Sequence, residues 1–395
     1  MNRLPRSLIS RTRTAFFLQA SLRSLSKRSV TLPRESAKYP PKKRLYDNRS
    51  RRTPSPSSTK TPLCDICRSE LVDINQNTIT NMTITAEPTM INNETFPEVL
   101  ADIDTFIFDA DGVLWLGEDV IPGSPELVDY LLSLNKKVIV LTNNATKSRA
   151  VYGKKLIQLG YSERITKNIV NPAAVVADTL YRSGIKNARK KVYLIGSQGV
   201  KDELTNMGIE YFGDGPDPIE RQPDERAFIY DLQLDEKHDR VGAVVVGYEK
   251  HFNYHKLMKA ANYLQTEDCL FIATNNDETC PGPNPNTIIP DAGPLVAAVK
   301  TAAGREPVIV GKPNTPAFDY ICRRWEIDPE RTIMIGDRTN TDVKFGRDHG
   351  LRTMLVLSGC HQVEDIIENQ LNDRDDMVPD YYAECLGTLI PSRYS

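Results

Sequence analysis

Short apolar runs alternate with helix-like segments from about residue 105 onward. Five runs have the length of a strand: TFIF (105–108), VIVLT (138–142), PVIVGKP (307–313), TIMIGD (332–337) and TMLVLSG (353–359). Their centres are rich in Val and Ile without polar alternation, which is typical of strands covered on both faces. The pattern therefore predicts a doubly wound, Rossmann-like α/β domain with a parallel sheet between layers of helices.

Amphipathic segments between these runs predict the covering helices. Residues 125–135 place Leu127 and Leu131 on one face of a helix, as the spacing of four residues requires. Residues 148–160 and 315–327 show similar patterns, and the first of these ends in a glycine, a common helix stop.

The stretch between the second and third runs is too long for a simple connection. Residues 185–306 contain the order strand, helix, strand twice, first from KKVYLIG to IEYFG and then from AVVVGYE to LFIATN. This order predicts a smaller α/β cap domain inserted into the first domain. The core is then predicted to consist of residues 96–184 and 307–395.

The first 34 residues predict a targeting segment. Residues 1–60 contain 16 Lys and Arg against two acids, although the whole chain has a net charge of −2. Residues 1–34 are rich in Arg and Ser, lack acids, and place Leu18 and Leu22 on one helical face. These features are typical of a mitochondrial transit peptide. A basic tail on a cytoplasmic protein is the alternative, so we expect the mitochondrial matrix or the cytoplasm.

Residues 35–95 are rich in Pro, Ser and Thr and show no sustained periodicity, which predicts a disordered linker. The linker contains Cys64 and Cys67 as a CxxC, but no second pair lies nearby to complete a zinc site. The seven cysteines are scattered, as expected in a reducing compartment. No run approaches the roughly 18 apolar residues of a membrane helix. We therefore predict neither a membrane nor a nucleic-acid partner.

Polar residues suited to catalysis follow four of the predicted strands. Ligands bind at the carboxyl ends of strands in an open parallel sheet, so these residues are expected at one edge. A calcium loop of the EF-hand type does not explain the first group, because Val113 and Val120 occupy two of its required positions. The set consists of Asp109, Asp111, Thr142, Asn143, Asn144, Lys312, Asp337 and Asp342.

Together these residues predict phosphoryl transfer. A phosphate monoester carries about two negative charges, so a carboxylate can attack it only after a cation such as Mg²⁺ has neutralised the approach. Asp109 and Asp337 can supply ligands for that cation, while a lysine and a hydroxyl hold phosphate oxygens. One carboxylate can then form an aspartyl-phosphate, and a second can act as general acid and base.

Four motifs in this order, FDADGVLW, LTNN, GKP and GDRTNTD, resemble those of the haloacid dehalogenase superfamily. The chain is most similar to the branch that contains phosphoglycolate phosphatase, pyridoxal phosphatase and the p-nitrophenylphosphatases. The resemblance extends from about residue 96 to the end of the chain. It implies a Rossmann-like core with an inserted cap that often mediates homodimerisation. A homodimer through the cap is therefore expected.

The resemblance also implies a role for each site residue. Asp109 would be the nucleophile and Asp111 the general acid and base. Mg²⁺ would be held by the side chains of Asp109 and Asp337 and the backbone carbonyl of Asp111, with Asp342 close by. Phosphate would contact the remaining residues of the set: Thr142, Asn143, Asn144 and Lys312.

The expected reaction is Mg²⁺-dependent hydrolysis of a small phosphorylated metabolite, either 2-phosphoglycolate or glycerol 3-phosphate. Pyridoxal-phosphate or phosphotyrosine phosphatase activity is the alternative, and a catalytically idle sensor of phosphometabolites is a third hypothesis. Relatives select substrates with a cap loop that here contains Cys280, where pyridoxal phosphatase has a histidine and phosphoglycolate phosphatase an apolar residue. Cys280 matches neither and is expected to contact substrate.

Overall fold

The computed structural model describes residues 87–217, 233–280 and 286–392. The predicted transit peptide, most of the predicted linker, and the CxxC pair lie outside the described residues. The strands are β1 (Thr89–Met90), β2 (Thr105–Phe108), β3 (Trp115–Leu116), β4 (Asp119–Val120), β5 (Lys137–Leu141), β6 (Ile169–Val170), β7 (Lys191–Ile195), β8 (Tyr211–Phe212), β9 (Val241–Val246), β10 (Leu270–Ala273), β11 (Thr279–Cys280), β12 (Ile289–Pro290), β13 (Val308–Ile309), β14 (Thr332–Gly336), β15 (Arg352–Val356) and β16 (Tyr381–Ala383).

The α-helices follow the amphipathic segments of the sequence. They are α1 (Phe96–Asp102), α2 (Ser124–Ser133), α3 (Arg149–Gln158), α4 (Pro172–Arg182), α5 (Gln198–Met207), α6 (Tyr254–Tyr263), α7 (Ala292–Ala303), α8 (Thr315–Arg324), α9 (Lys344–Asp348) and α10 (Val363–Leu371). Helix α4 begins at a proline whose preceding Asn171 accepts a hydrogen bond from Ala174 N, a common N-terminal cap. Within the described residues, each helix is too short or too polar to cross a membrane.

The larger sheet has seven strands in the order β1-β16-β15-β14-β2-β5-β6, and neighbouring strands are parallel. Apart from β1, the chain builds outward from β2 to β6 on one side and then from β14 to β16 on the other. This is the Rossmann strand order, with its topological switch point between β2 and β14. The predicted doubly wound α/β fold is confirmed.

Both faces of this sheet are buried, which explains why its strands are apolar throughout. In β2, Phe106 and Phe108 pack with the cluster that includes α1 and α2, whereas Ile107 packs into a second cluster on the opposite face. All four residues of β2 are buried. Successive side chains of a strand point to opposite faces, so a sheet covered by helices on both sides needs apolar residues at every position.

The smaller sheet has five parallel strands in the order β13-β10-β9-β7-β8. Four of its strands, β7 to β10, lie within the segment predicted to be the cap, and its faces are covered by helices such as α5 and α6. In chain order its strands are arranged 2-1-3-4-5, the flavodoxin-like order, whose switch point lies between the first and third strands. Those strands are β7 and β9.

Two details of the predicted organisation are wrong. The run at 307–313 was expected in the core sheet, but Val308 and Ile309 pair with β10 of the smaller sheet. The predicted linker extended to residue 95, yet Thr89 and Met90 pair with β16 in the core sheet. A strand of two residues produces no periodicity, and its partner is almost 300 residues away, so local pattern could not detect it.

Candidate active site

The switch point of the larger sheet brings two carboxylates together. Asp109 follows β2 directly and Asp337 follows β14 directly, and these strands are neighbours in the sheet. Asp109 N also donates to Ile335 O of β14 at 2.8 Å, which fixes the two strand ends side by side. Because ligands bind outside the carboxyl ends of strands at a switch point, this is the expected position of a catalytic centre.

Lys312 reaches this point from the smaller sheet. It follows β13, and its Nζ lies 2.5 Å from Asp109 Oδ1 and 2.7 Å from Asp342 Oδ1. The same Nζ donates to Leu141 O at 2.8 Å. Burial lowers the pKa of Lys312, but the two carboxylates raise it more, so the pKa lies above its usual value. The lysine is therefore a fixed positive charge between two acids.

Asp109, Asp337 and Asp342 form a buried acidic cluster. One carboxylate oxygen from each lies within 4.8 Å of those of the other two. Burial raises the pKa of Asp109 well above its usual value despite Lys312, and burial together with Asp342 raises the pKa of Asp337 to about 6. Asp342 lies in the π-helix Thr339–Val343 and accepts a hydrogen bond from Arg338 N at 3.0 Å. Among the residues that the structure describes, Lys312 is the one lysine that bonds directly to this cluster, so another cation would stabilise it.

The residues around the cluster fit a divalent cation with oxygen ligands. Three carboxylates and the neighbouring backbone carbonyls are hard oxygen donors, the type that Mg²⁺ binds. The chain also leaves space there, because a Cβ at Gly112 would lie 2.3 Å from Asp337 Oδ2 and one at Gly359 would lie 2.1 Å from the same atom. Gly112 also has a φ of +88°, which glycine adopts without strain.

Asp111 is held by the indole of Trp115. The Trp115 Nε1 donates to Asp111 Oδ1 at 2.9 Å, and the ring is fully buried. Trp115 in turn stacks on Tyr152 and carries the Lys155 ammonium 4.6 Å from its ring centroid. Burial raises the pKa of Asp111, although the hydrogen bond from Trp115 lowers it. A carboxyl with a raised pKa is suited to donate a proton to a leaving group.

The loop after β5 contains the predicted phosphate contacts. Thr142 is buried, and its Oγ1 accepts a hydrogen bond from Asn144 N at 3.1 Å. Asn143 bonds to the backbone of Lys312 through both its Oδ1 and its Nδ2, at 2.8 and 3.1 Å. Asn144 Oδ1 accepts from Thr146 N at 3.0 Å. The amides therefore bond to protein groups and hold the loop next to Lys312.

A hairpin of the smaller sheet's domain covers this edge. Strands β11 and β12 are antiparallel, and Cys280 lies at the end of β11, half-buried. Asp277, just before β11, accepts hydrogen bonds from Asn143 Nδ2 at 3.1 Å and from Asn275 Nδ2 at 2.8 Å. Burial raises the pKa of the Cys280 thiol and Asp291 raises it further, while Arg338 opposes the shift. Cys280 thus lies near charged groups of both domains.

The structure brings all the predicted residues of the core to one place and adds several that sequence reasoning missed. Trp115 was read only as part of a motif, although a Trp four residues after a carboxylate offers a donor for it. Sequence patterns did not place Gly359 or Asp277 at the site, because the positions of these residues depend on strand ends that are distant in sequence. Arg338 follows Asp337 directly and could have been considered as a charge near the acids.

Comparisons with known proteins agree with this fold and site. A model of the family described as haloacid dehalogenase-like hydrolase matches residues 106–210, and a second HAD-hydrolase-like model matches residues 309–385. The solved structure of a 4-nitrophenylphosphatase from Thermotoga maritima is 29% identical with a TM-score of 0.59, and the match covers 74% of this chain and 97% of that one.

Three curated relatives are informative. A glycerol-3-phosphate phosphatase of Mus musculus is 38% identical over 306 residues, which cover 74% of this chain and 92% of that protein. The chloroplastic phosphoglycolate phosphatase 1A of Arabidopsis thaliana is 37% identical over 75% of this chain and 79% of that protein. A Caenorhabditis elegans protein that carries the name NipSnap is 44% identical over 66% of this chain, but the match spans only 49% of its own length.

These matches, together with the Rossmann-like sheet and its carboxylate-rich switch point, identify the class of protein as a hydrolase. The chain belongs to the haloacid dehalogenase-like hydrolase family, as its four motifs predicted. The relatives from Mus musculus and Arabidopsis thaliana are named as phosphatases, so the predicted enzyme class, phosphoric monoester hydrolase, is also confirmed.

Proposed function

We propose that the chain is a Mg²⁺-dependent phosphatase of small C2–C3 phosphate monoesters, with glycerol 3-phosphate or 2-phosphoglycolate as substrate. The observation that carries this proposal is the buried contact of Lys312 with Asp109 and Asp342 beside Asp337. Relatives named for these two substrates support the choice.

The side chains of Asp109, Asp337 and Asp342 would hold Mg²⁺ together with the Asp111 backbone carbonyl. When bound, the cation would supply positive charge that offsets the acids and the phosphate oxygens. Lys312 supplies a second positive charge, fixed in place by its bond to Leu141 O. The two charges lower the repulsion that a dianionic substrate would otherwise meet at this edge.

Asp109 is the proposed nucleophile. Its carboxylate oxygen attacks phosphorus while the bond from phosphorus to the leaving oxygen breaks, which yields an aspartyl-phosphate. Asp111 donates the proton that the leaving alkoxide needs and then takes a proton from the water that hydrolyses the aspartyl-phosphate. Trp115 keeps the Asp111 carboxylate in place through its 2.9 Å hydrogen bond.

The cap hairpin favours a small substrate over a phosphoprotein. The 3.1 Å hydrogen bond between Asn143 and Asp277 joins two segments. One is the loop after β5, which contains the predicted phosphate contacts, and the other is the segment before β11. A bulky phosphotyrosine segment would have to displace this contact, whereas a C2–C3 ester is small enough to leave it in place. Pyridoxal phosphate, the other alternative substrate, is smaller than a phosphotyrosine segment of a protein, so the size argument does not exclude it. Steady-state kinetics can distinguish it from the C2–C3 esters.

Steady-state phosphate release by the full chain with Mg²⁺ tests the proposal. We expect glycerol 3-phosphate or 2-phosphoglycolate to give a kcat/KM at least about tenfold above those for pyridoxal 5′-phosphate and phosphotyrosine. A higher kcat/KM for either of the latter would contradict the assigned substrate class. We also propose, from the sequence alone, a homodimer through the cap and a location in the mitochondrial matrix or, alternatively, the cytoplasm; these remain predictions.

A further inference from the structure

The smaller sheet, like the larger one, has a topological switch point at which a ligand can bind. In the larger sheet the switch point between β2 and β14 holds the acidic cluster. The smaller sheet has its own switch point between β7 and β9, because its strand order is 2-1-3-4-5. Both sheets are parallel, so each has one carboxyl edge with a crevice at the switch point.

A cavity of about 410 Å³ lies at this second switch point. Its walls include Gly196, Ser197 and Gln198 directly after β7, and Tyr248, Glu249 and Lys250 shortly after β9. The volume falls within the range of about 300–1,000 Å³ that small-molecule sites occupy. The acidic cluster of the active site does not line it, so the cavity is separate from the catalytic centre.

The charges around the cavity favour an anion. Lys250 is exposed and lines the cavity, as does Lys201, which pairs with Asp214 at 2.8 Å. The one acid among the lining residues, Glu249, is 3.5 Å from the Nζ of Lys256. Ser197 and Gln198, at the N-terminus of the ten-residue helix α5, also line the cavity. Helix N-termini carry partial positive charge, which favours an anion.

Lys256 is a further positive charge next to Glu249, a residue that lines the cavity. Its side chain is 1% exposed, and its Nζ makes no hydrogen bond with the described residues. Burial lowers its pKa, although Glu249 opposes this shift. Lys256 therefore offsets the charge of Glu249, so that the exposed Lys250 remains to attract an anion.

We propose that this cavity is a second binding site, specific for a phosphate monoester of the size of a nucleoside monophosphate. The phosphate would lie between Lys250, Lys201 and the start of α5, and the ring of Tyr248 would contact the apolar part of the ligand. Thr146 also lines the cavity and belongs to the same loop as Thr142. The ligand would therefore touch the loop that carries the predicted phosphate contacts of the active site.

Binding can be measured without the catalytic reaction. In EDTA the active site has three buried carboxylates around Lys312, so a dianion is repelled, whereas Glu249 is the one acid among the described residues that line the cavity. Isothermal titration of the full chain with AMP in EDTA should give a Kd of about 1 mM or tighter. Adenosine, which lacks the phosphate, should give no binding under the same conditions.

Variants locate the site. Lys250→Ala should weaken AMP binding about tenfold or more, because it removes a charge-assisted contact from an exposed residue. Lys300→Ala, which removes an exposed lysine of α7 outside the cavity, should leave the Kd unchanged. The proposal is overturned if AMP gives no binding heat, if adenosine binds equally well, or if Lys250→Ala and Lys300→Ala have the same Kd as the wild type. Because catalysis is absent in EDTA, these outcomes are independent of the proposed phosphatase function.

Discussion

Trp115 allows the proposed role of Asp111 to be tested without touching a carboxylate. Trp115→Phe removes the indole N–H that donates to Asp111 Oδ1 and retains an aromatic ring against Tyr152. We expect kcat to fall about tenfold and KM to change less than about twofold, since a hydrogen bond to a charged group contributes about 1.5–3 kcal/mol. Steady-state kinetics with Mg²⁺ would measure both constants.

Tyr152→Phe is the control for this variant. It keeps the stacked ring and loses only a hydroxyl that donates to Asn144 O at 3.3 Å. Its kcat should remain within about twofold of the wild type, because a long hydrogen bond between neutral groups contributes little. Equal kcat values for Trp115→Phe and the wild type would show that the indole does not position Asp111.

Gly112 tests how closely the chain must approach Asp337. In Gly112→Ala the new methyl group would lie 2.3 Å from Asp337 Oδ2, so the Asp337 carboxylate must move. We expect phosphate release to fall at least about a hundredfold, because a displacement of about 1 Å in a catalytic group can have this effect. The Mg²⁺ concentration for half-maximal activity should rise.

Gly117→Ala is the matched control. Gly117 also has a positive φ, +60°, but a Cβ there would meet nothing within 4 Å. It shares the backbone strain, which costs about 1–2 kcal/mol of stability, without the collision at the carboxylate. If both variants lost activity equally, strain alone would explain the effect and the contact with Asp337 would be irrelevant.

At the scale of elements, helices α3 and α5 are joined by a buried ion pair. Glu203 on α5 is 2% exposed at its side chain and accepts hydrogen bonds from Arg149 N, Nε and Nη2 at 2.7–3.0 Å. Glu203→Gln should lower the free energy of unfolding by about 2 kcal/mol, because the buried end of Arg149 loses its compensating charge. Chemical denaturation would measure the change.

The comparison for this pair is Glu306→Gln. Glu306 pairs with Lys300 at 2.9 Å, but both side chains are largely exposed. Exposed pairs contribute little, so the loss should stay below about 0.5 kcal/mol. A Glu203→Gln variant as stable as Glu306→Gln would mean that the α3–α5 contact does not stabilise the fold.

The pairing of β1 with β16 predicts that the residues before Phe96 stabilise the folded core. Its pairing with β16 includes the bond from Ile91 N to Tyr382 O at 2.8 Å, and Ile91 is 3% exposed. The free energy of unfolding should be about 2–4 kcal/mol lower for a chain that starts at Phe96 than for one that starts at Glu87. Equal unfolding midpoints in urea would contradict a structural role for β1.

Sequence patterns predicted the long, fully apolar strands because a strand that is buried on both faces has apolar residues at consecutive positions. TFIF, VIVL and TIMIG became β2, β5 and β14, and the acids that follow them lie where the switch-point rule places them. Short strands were missed or misplaced, as β1 and β13 show, because their partners are chosen by tertiary contacts. The hydrogen bond from Trp115 depends on a side-chain orientation that no periodicity encodes.

At the scale of the whole molecule, two sheets meet at their carboxyl edges. Lys312 follows a strand of the smaller sheet and yet binds Asp109 of the larger one, so the acidic cluster receives its lysine from the smaller sheet. Asn143 makes the reverse connection, because it belongs to the larger sheet's loop and bonds to Asp277. The proposed active site therefore combines residues that follow strands of both sheets.

The most direct test of the proposed mechanism is to trap phosphate on Asp109. The full chain is mixed with ³²P-labelled glycerol 3-phosphate and Mg²⁺, quenched in acid during turnover, and digested for mass spectrometry. We expect labelled phosphate on the peptide that contains Asp109, no label in Asp109→Asn, and phosphate release at least about a thousandfold slower in that variant. Asp119→Asn, at an exposed position of β4, should behave as the wild type. Label on Asp109→Asn, or release within about tenfold of the wild type, would contradict a nucleophilic Asp109.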